Sequence, residues 1–128
     1  MKIILKLTYL LVLLLATSCS NNVETPLMSN ALPPIFPDYI GVTIPAEIAP
    51  MNFDIAQGVD YQRVDVVIKG GKRGELHVNA KRVNFPIKQW RKLLRENRGD
   101  SLQITVSIKQ GDDWKQSPRL AYRIYSCL

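Results

Sequence analysis

The stretch QRVDVVIKGGKRGELHVNA, residues 62–80, decides the fold. Val64, Val66 and Ile68 alternate with Arg63, Asp65 and Lys69. Successive side chains of a strand point to opposite faces, so this is a half-buried strand with one apolar side and one polar side. Gly70-Gly71 follows. Both glycines tolerate positive φ, which predicts a tight two-residue hairpin turn. The return strand runs roughly from Lys72 to Ala80. Leu76, Val78 and Ala80 share one of its faces; Glu75, His77 and Asn79 share the other. Gly74 is expected to mark a bulge.

Towards the C-terminus the period changes. Between Pro86 and Asn97, the residues Ile87, Trp90, Leu93 and Leu94 recur at helical spacing. Pro86 suits the first helical turn and Gly99 stands where a helix stops. Arg95 and Arg98 fall near the C-terminal end, where the helix dipole favours cations. Leu102, Ile104, Val106 and Ile108 then alternate with Gln103, Thr105, Ser107 and Lys109, the strongest strand pattern in the chain. Gln110 to Asp113 reads as a turn, Trp114 opens another piece, and Leu120, Tyr122 and Ile124 alternate to the end. Towards the N-terminus, Tyr39, Val42 and Ile44 alternate loosely up to Pro45, and Asn52 to Ile55 is a second short extended piece. Prolines here suit edge strands. Five to seven strands with one short α-helix predict a mainly β fold, a small β-sandwich-like (Ig-like) domain.

The chain has 128 residues, 46% apolar and 22% charged, which fits one small globular domain. Two Cys and one His exclude a disulfide framework and a Cys/His zinc site, so neither metal nor cofactor is expected. The first twenty residues, MKIILKLTYLLVLLLATSCS, read as an address. Lys2 and Lys6 make a basic n-region, and Leu7 to Ala16 is an apolar h-region too short to span a bilayer as a mature helix. Ala16, Thr17 and Ser18 before Cys19 resemble a bacterial lipobox, with Ala16 at the position where Leu is usual. That resemblance implies a lipoprotein signal peptide over residues 1–18 and acyl chains on Cys19. Two or more chains, at about 0.8 kcal/mol per buried methylene, hold a domain firmly to a membrane. The implied location is the bacterial cell envelope. Ser20-Asn21-Asn22 lacks the Asp that commonly retains such proteins at the inner membrane, so the outer membrane is expected.

Residues 19–60 carry five acidic and no basic residues, net −5; residues 61–128 carry fifteen basic and six acidic, net +9. Six of the eight prolines fall between Pro26 and Pro50. One reading is a polar tether followed by a basic domain; the other is one domain whose acidic first strands pair with basic ones. Residues 19–37 are read as an extended polar and proline-rich tether, and 38–128 as the β-rich domain.

No catalytic constellation stands out, and a non-enzymatic module is expected. His77, the single histidine, sits on the polar face of a strand and reads as an exposed strand residue. Asp112-Asp113 reads as a turn, because a calcium loop needs more ligands at alternating positions. Glu96 and Asp100 flank the helix end without forming an acid–base pair. Cys127 has no intrachain partner if Cys19 is acylated. The helix is more informative: Lys88, Arg91, Lys92, Arg95 and Arg98 form a broad cationic stripe, the candidate anion-binding residues. Lys69, Lys72, Arg73, Lys81 and Arg82 could extend it into a face for lipid phosphates or anionic glycans. A nucleic-acid partner is not expected outside the cytoplasm. Tyr39, Tyr61, Trp90, Trp114, Tyr122 and Tyr125 are numerous enough for a sugar platform, but most read as core.

LPPIFPDYIGVTIPAEIAPMNFDI (Leu32 to Ile55), the Trp90/Leu93/Leu94 helix with its NRGDSL exit (Asn97 to Leu102), and Leu120 to Ile124 resemble the N-terminal module of bacterial TolB-like β-propeller lipoproteins. In that family the module precedes a propeller, and many members carry a CxxCH segment; neither has a counterpart here. The resemblance implies an accessory module without an active site, or else a truncated remnant; the Cys19 signal, the single-domain length and the lack of a catalytic constellation lead to the expectation of an envelope protein or glycan partner.

Overall fold

A computed structural model describes residues 1–15, 22–23 and 25–125. The described elements are α1 (Lys2–Leu15), β1 (Leu27–Met28), β2 (Ile35–Phe36), β3 (Thr43–Pro45), β4 (Asp54–Ile55), β5 (Arg63–Gly70), β6 (Glu75–Ala80), α2 (Ile87–Glu96), β7 (Ser101–Gln110), β8 (Asp113–Gln116) and β9 (Leu120–Tyr125). The fold is mainly β, with two sheets, and sandwich-like around one short helix. α1 exposes its apolar side chains from Ile3 to Leu11.

β7 organises the large sheet. β5 lies antiparallel along one side of it, with Val66 opposite Val106 and Ile68 opposite Ile104. β6 continues outward from β5, pairing Val66 with Val78 and Ile68 with Leu76. β8 and β9 share the other side of β7. Beyond them β1 runs parallel to β8, and β3 parallel to β9. β2 and β4 form a separate two-stranded sheet, pairing Ile35 with Ile55 and Phe36 with Asp54.

The expected alternation holds. Val64, Val66, Ile68, Leu102, Ile104, Val106, Leu120, Tyr122 and Ile124 turn inward as one buried surface. α2 and the small sheet cover that surface. Trp90 and Leu94 are wholly buried. The Trp90 ring stacks on Phe85 at 5.4 Å between centroids, and its Nε1 donates to the Ile48 carbonyl at 3.0 Å. Phe53 meets Phe85 edge to face at 6.1 Å. Full burial of side chains of this size contributes roughly 1.5–3 kcal/mol each, so this aromatic row closes the layer beneath the sheet.

Three local expectations change, and the pairing of β8 and β9 adds a register slip. First, the β5–β6 turn is longer than two residues. Lys69 pairs with Glu75, Gly70 N–H bonds the Gly74 carbonyl, and the positive φ belongs to Gly74 at 87°. Gly70 and Gly71 answer to crowding instead. A Cβ on Gly70 would lie 2.2 Å from Asn97 Nδ2, and one on Gly71 2.5 Å from Asp100 Oδ1. Second, Pro86 is the N-cap residue and Ile87 is exposed, so the buried stripe of α2 is Trp90, Leu93 and Leu94. Third, the chain joins the sheets before Asp38. Leu27–Met28 pairs with β8 and Ile35 is buried, so the later part of the segment read as a tether is built into the fold. β8 and β9 differ in register by one residue: Ile104 faces Leu120, yet Ser107 faces Gln116. A one-residue slip exchanges faces. Trp114 is therefore buried outside the main apolar cluster, on the side of Lys109.

Asn97 ties these pieces together. Its Oδ1 accepts from Lys72 N–H at 2.9 Å and Arg73 N–H at 3.2 Å. Its Nδ2 donates to the Arg73 carbonyl at 2.8 Å and the Leu93 carbonyl at 2.7 Å. Replacing Asn97 by Ala leaves several of these backbone groups without a partner, so a loss of about 2–4 kcal/mol is expected in a urea melt followed by far-UV circular dichroism. A change below 0.5 kcal/mol would contradict this role.

Candidate functional site

The helix that closes the core also carries the predicted cations outward. Because Trp90, Leu93 and Leu94 must face the sheet, Lys88, Arg91, Lys92 and Arg95 are left in solvent, and Arg98 follows just past the end. They do not form one site. Arg91, Arg95 and Arg98, with Ala46 and Glu47, line a single concavity of about 330 Å³. Lys88 and Lys92 lie outside it. Arg91 and Arg95 are one turn apart on the helix, so their guanidinium groups share a face. Glu47 Oε1 stands 3.7 Å from an Arg98 nitrogen, with both side chains more than half exposed. A pair so hydrated contributes little to stability. The cleft thus has three guanidinium groups to one carboxylate among its lining residues.

The wider basic face is not continuous. Arg82 forks onto Asp54, at 3.1 Å from Nε to Oδ1 and 2.9 Å from an NH2 to Oδ2. This holds the Asp54 carboxyl below its usual range, the Arg82 hydrogen bond being the main cause. Lys72 spends its ammonium on the Arg98 carbonyl at 2.7 Å. Lys69 lies on the other side of the sheet, in a polar trough. Glu47 and Asp54 thus join the acidic first half of the chain to its basic second half.

That trough, about 490 Å³, runs over the outer face of β5, β6 and β7. Asp65 is its buried carboxylate, at 5% exposure. Its Oδ1 stands 2.5 Å from His77 Nε2 and accepts from Asn79 Nδ2 at 3.0 Å. Arg63 in turn donates to Asn79 Oδ1 at 2.7 Å and to the Asn79 carbonyl at 3.0 Å. His77 therefore has the acid partner that sequence reasoning missed. The arrangement stops short of a catalytic triad, since the partner of the His77 ring is a carboxylate and no hydroxyl hydrogen-bonds to that ring among the described residues. Asn22, Val23 and Pro26 also line this trough.

The remaining candidates scatter. Asp112 and Asp113 are exposed at the β7–β8 turn, where Gly111 takes φ 65°. No group of three or more metal-ligating side chains occurs among the described residues. Asp100 Oδ1 caps Ser101 N–H at 2.7 Å. Of the aromatic set, Trp90, Trp114 and Tyr122 are buried, and Tyr125 is exposed. Cys19 and Cys127 lie outside the described residues.

Among the described residues, the buried Tyr122 hydroxyl has no hydrogen-bond partner. Burial, with a smaller contribution from Tyr39, pushes its phenol well above the ordinary 10.0. The unfolded chain therefore ionises first, and stability should fall as pH rises past about 10. Tyr122→Phe removes both the unpaired hydroxyl and this pH dependence. The variant should equal or exceed the parent by about 1 kcal/mol at pH 8, with a wider margin at pH 10.5, in parallel urea melts.

Comparison with known proteins returns no match: no family model fits the chain, and no curated protein or solved structure matches it.

Proposed function

We propose that the protein is a lipid-anchored module of the bacterial cell envelope that binds anionic groups in the cleft of Arg91, Arg95 and Arg98. The convergence of these three guanidinium groups on one concavity carries the reading. Guanidinium is planar, always charged, and matches phosphate or carboxylate oxygens with paired N–H donors. Arg91 and Arg95 project from a helix whose other side is locked by Trp90 and Leu94, so the donors stand on a rigid element rather than a loop. The ligand class is an accessible phosphate or carboxylate on an envelope glycan or lipid headgroup. The module acts by binding, without catalysing a reaction.

The anchor rests on the sequence around Cys19. α1 is largely apolar and exposes its apolar side chains from Ile3 to Leu11, as a leader read by a membrane machinery does, and no described helix is long and apolar enough to cross a membrane. In this reading residues 1–18 are removed and the acylated Cys19 holds the domain to the outer membrane. Kinship with the module that precedes TolB-like propellers is part of the same proposal. The packing of β9 between β7 and β3, with Leu120, Tyr122 and Ile124 buried, supports a binding module over an unpacked remnant.

Two measurements test the proposal. Mass spectrometry of the chain made in a bacterium should find a diacylglyceryl modification at Cys19; an unmodified N-terminus elsewhere removes the anchor. Pyrophosphate binding, followed by calorimetry, should weaken clearly between low and physiological salt. It should weaken at least tenfold in Arg91→Ala/Arg95→Ala and change little in Lys88→Ala/Lys92→Ala. Binding insensitive to salt, or lost equally in both variants, removes the cleft.

A further inference from the structure

The small sheet places an aromatic ring where the core does not need it. β2 and β4 pair Ile35 with Ile55, and both are buried. Alternation then drives Phe36 to the other side, opposite Asp54, where it is 70% exposed. Phe53 and Phe85, by contrast, are at most 4% exposed. One exposed ring carries no meaning alone. Here it stands between two clefts, each lined by both Phe36 and Asp54. One, of about 400 Å³, adds Asn52, Arg82 and Asn84; the other, of about 540 Å³, adds Ile55, Ala56 and Gln57. These volumes suit small ligands.

The polar groups at the rim are held in place. Asp54 and Arg82 form their two-point pair at 2.9 and 3.1 Å. Asn52 Oδ1 accepts from Phe85 N–H at 2.8 Å, and Phe53 bridges to Val83, so the segment bearing Arg82 is fixed against the one bearing Asp54. The pair neutralises itself, which disfavours a charged ligand. Each partner still keeps unused capacity: the guanidinium has five N–H donors, and each carboxylate oxygen has a further lone pair. A donor and an acceptor side by side match adjacent hydroxyls, each of which both donates and accepts a hydrogen bond. The electron-rich face of Phe36 matches the C–H face of a sugar ring.

We infer that Phe36, Asp54 and Arg82 form a binding subsite for a neutral pyranose, which stacks on the Phe36 ring and shares its hydroxyls with the Asp54–Arg82 pair. The subsite is separate from the arginine cleft and takes a ligand of different charge. Gln57 and Asn84 line the two clefts, one in each.

The test uses the full chain in detergent, with maltotetraose and chitotetraose as probes, read by saturation-transfer-difference NMR. Transfer to ring protons of at least one probe is expected. It should weaken at least tenfold in Phe36→Ala, fall in Asp54→Asn, and persist in Arg91→Ala/Arg95→Ala. Because Phe36 is outward, Phe36→Ala should keep the parent's circular dichroism and melting temperature. Phe36→Tyr, which retains an aromatic face, should rescue binding. No transfer from either probe to the folded parent overturns the proposal, as does undiminished binding by Phe36→Ala. If sedimentation shows a dimer that Phe36→Ala dissociates, the ring serves self-association and the subsite is likewise excluded. Loss of pyrophosphate binding with sugar binding intact would remove the arginine cleft alone.

Discussion

Asn97 joins three parts of the chain that would otherwise drift: its carboxamide ties the end of α2 to the β5–β6 loop, and its main-chain carbonyl accepts from Asp100 N–H on the path into β7. Wholly buried, it satisfies two backbone N–H groups and two carbonyls at once. A buried amide left partly unpaired is costly, so the loop geometry and the amide specify each other. The absent Cβ of Gly70 is what lets the amide approach. Through this clamp the helix axis is fixed relative to the sheet, and with it the outward direction of Arg95 and Arg98. The main-chain carbonyl of Arg98 is itself held by Lys72, from the same loop. Positioning of the cationic cleft is therefore a consequence of core hydrogen bonding, at no cost to the apolar packing beneath.

The two faces of the large sheet carry different loads. The inner face is lined by aliphatic side chains and the Tyr122 ring, and is closed by the Phe53–Phe85–Trp90 row. The outer face holds a connected polar chain, Arg63 to Asn79 to Asp65 to His77. That chain satisfies a buried carboxylate in the centre of a sheet, where an unpaired charge would be strongly unfavourable. The register slip after Gln116 adds a third consequence. It moves Trp114 onto the outer side while returning Leu120, Tyr122 and Ile124 to the inner one. A single extra residue thus supplies both faces from one nearly continuous edge.

The elements themselves were legible because their periods are strong. β5, β7, β9 and α2 all lie where alternation or helical spacing puts them, and Trp90 is where the apolar stripe requires it. Pairing was less legible. Gly70-Gly71 resembles a two-residue turn, but that register would set Asp65 opposite Leu76 and Val66 opposite Glu75, mixing polar with apolar on one face. The sequence pattern contained the objection. A five-residue connection restores Val66 to Val78 and Asp65 to Asn79. The Asp65–His77 contact was hidden by the same misreading. The burial of Ile35 was obscured for another reason: two-residue strands have no period, and proline-rich composition resembles a spacer whether or not it packs. Phe36 could have been noticed from the alternation Ile35-Phe36 against Asp54-Ile55, but only once the two segments were known to pair. The division of the cationic stripe depends on Glu47 and Ala46, which no helical wheel displays.

Charge shows how local pairing and surface function separate in this molecule. The chain concentrates acid in its first half and base in its second. Folding brings Asp54 to Arg82 and Glu47 to Arg98, yet these contacts are solvent-exposed and add little stability. Their effect is to set local charge. At Arg82 the compensation is complete, and the rim beside Phe36 is neutral and rich in hydrogen-bonding groups. At Arg98 it is partial: Glu47 stands 3.7 Å away and exposed, while Arg91 and Arg95 in the same cleft form no ion pair among the described residues. Two concavities built from the same residue types thus differ in the ligand they favour, because one carboxylate forks onto its arginine and the other only approaches it.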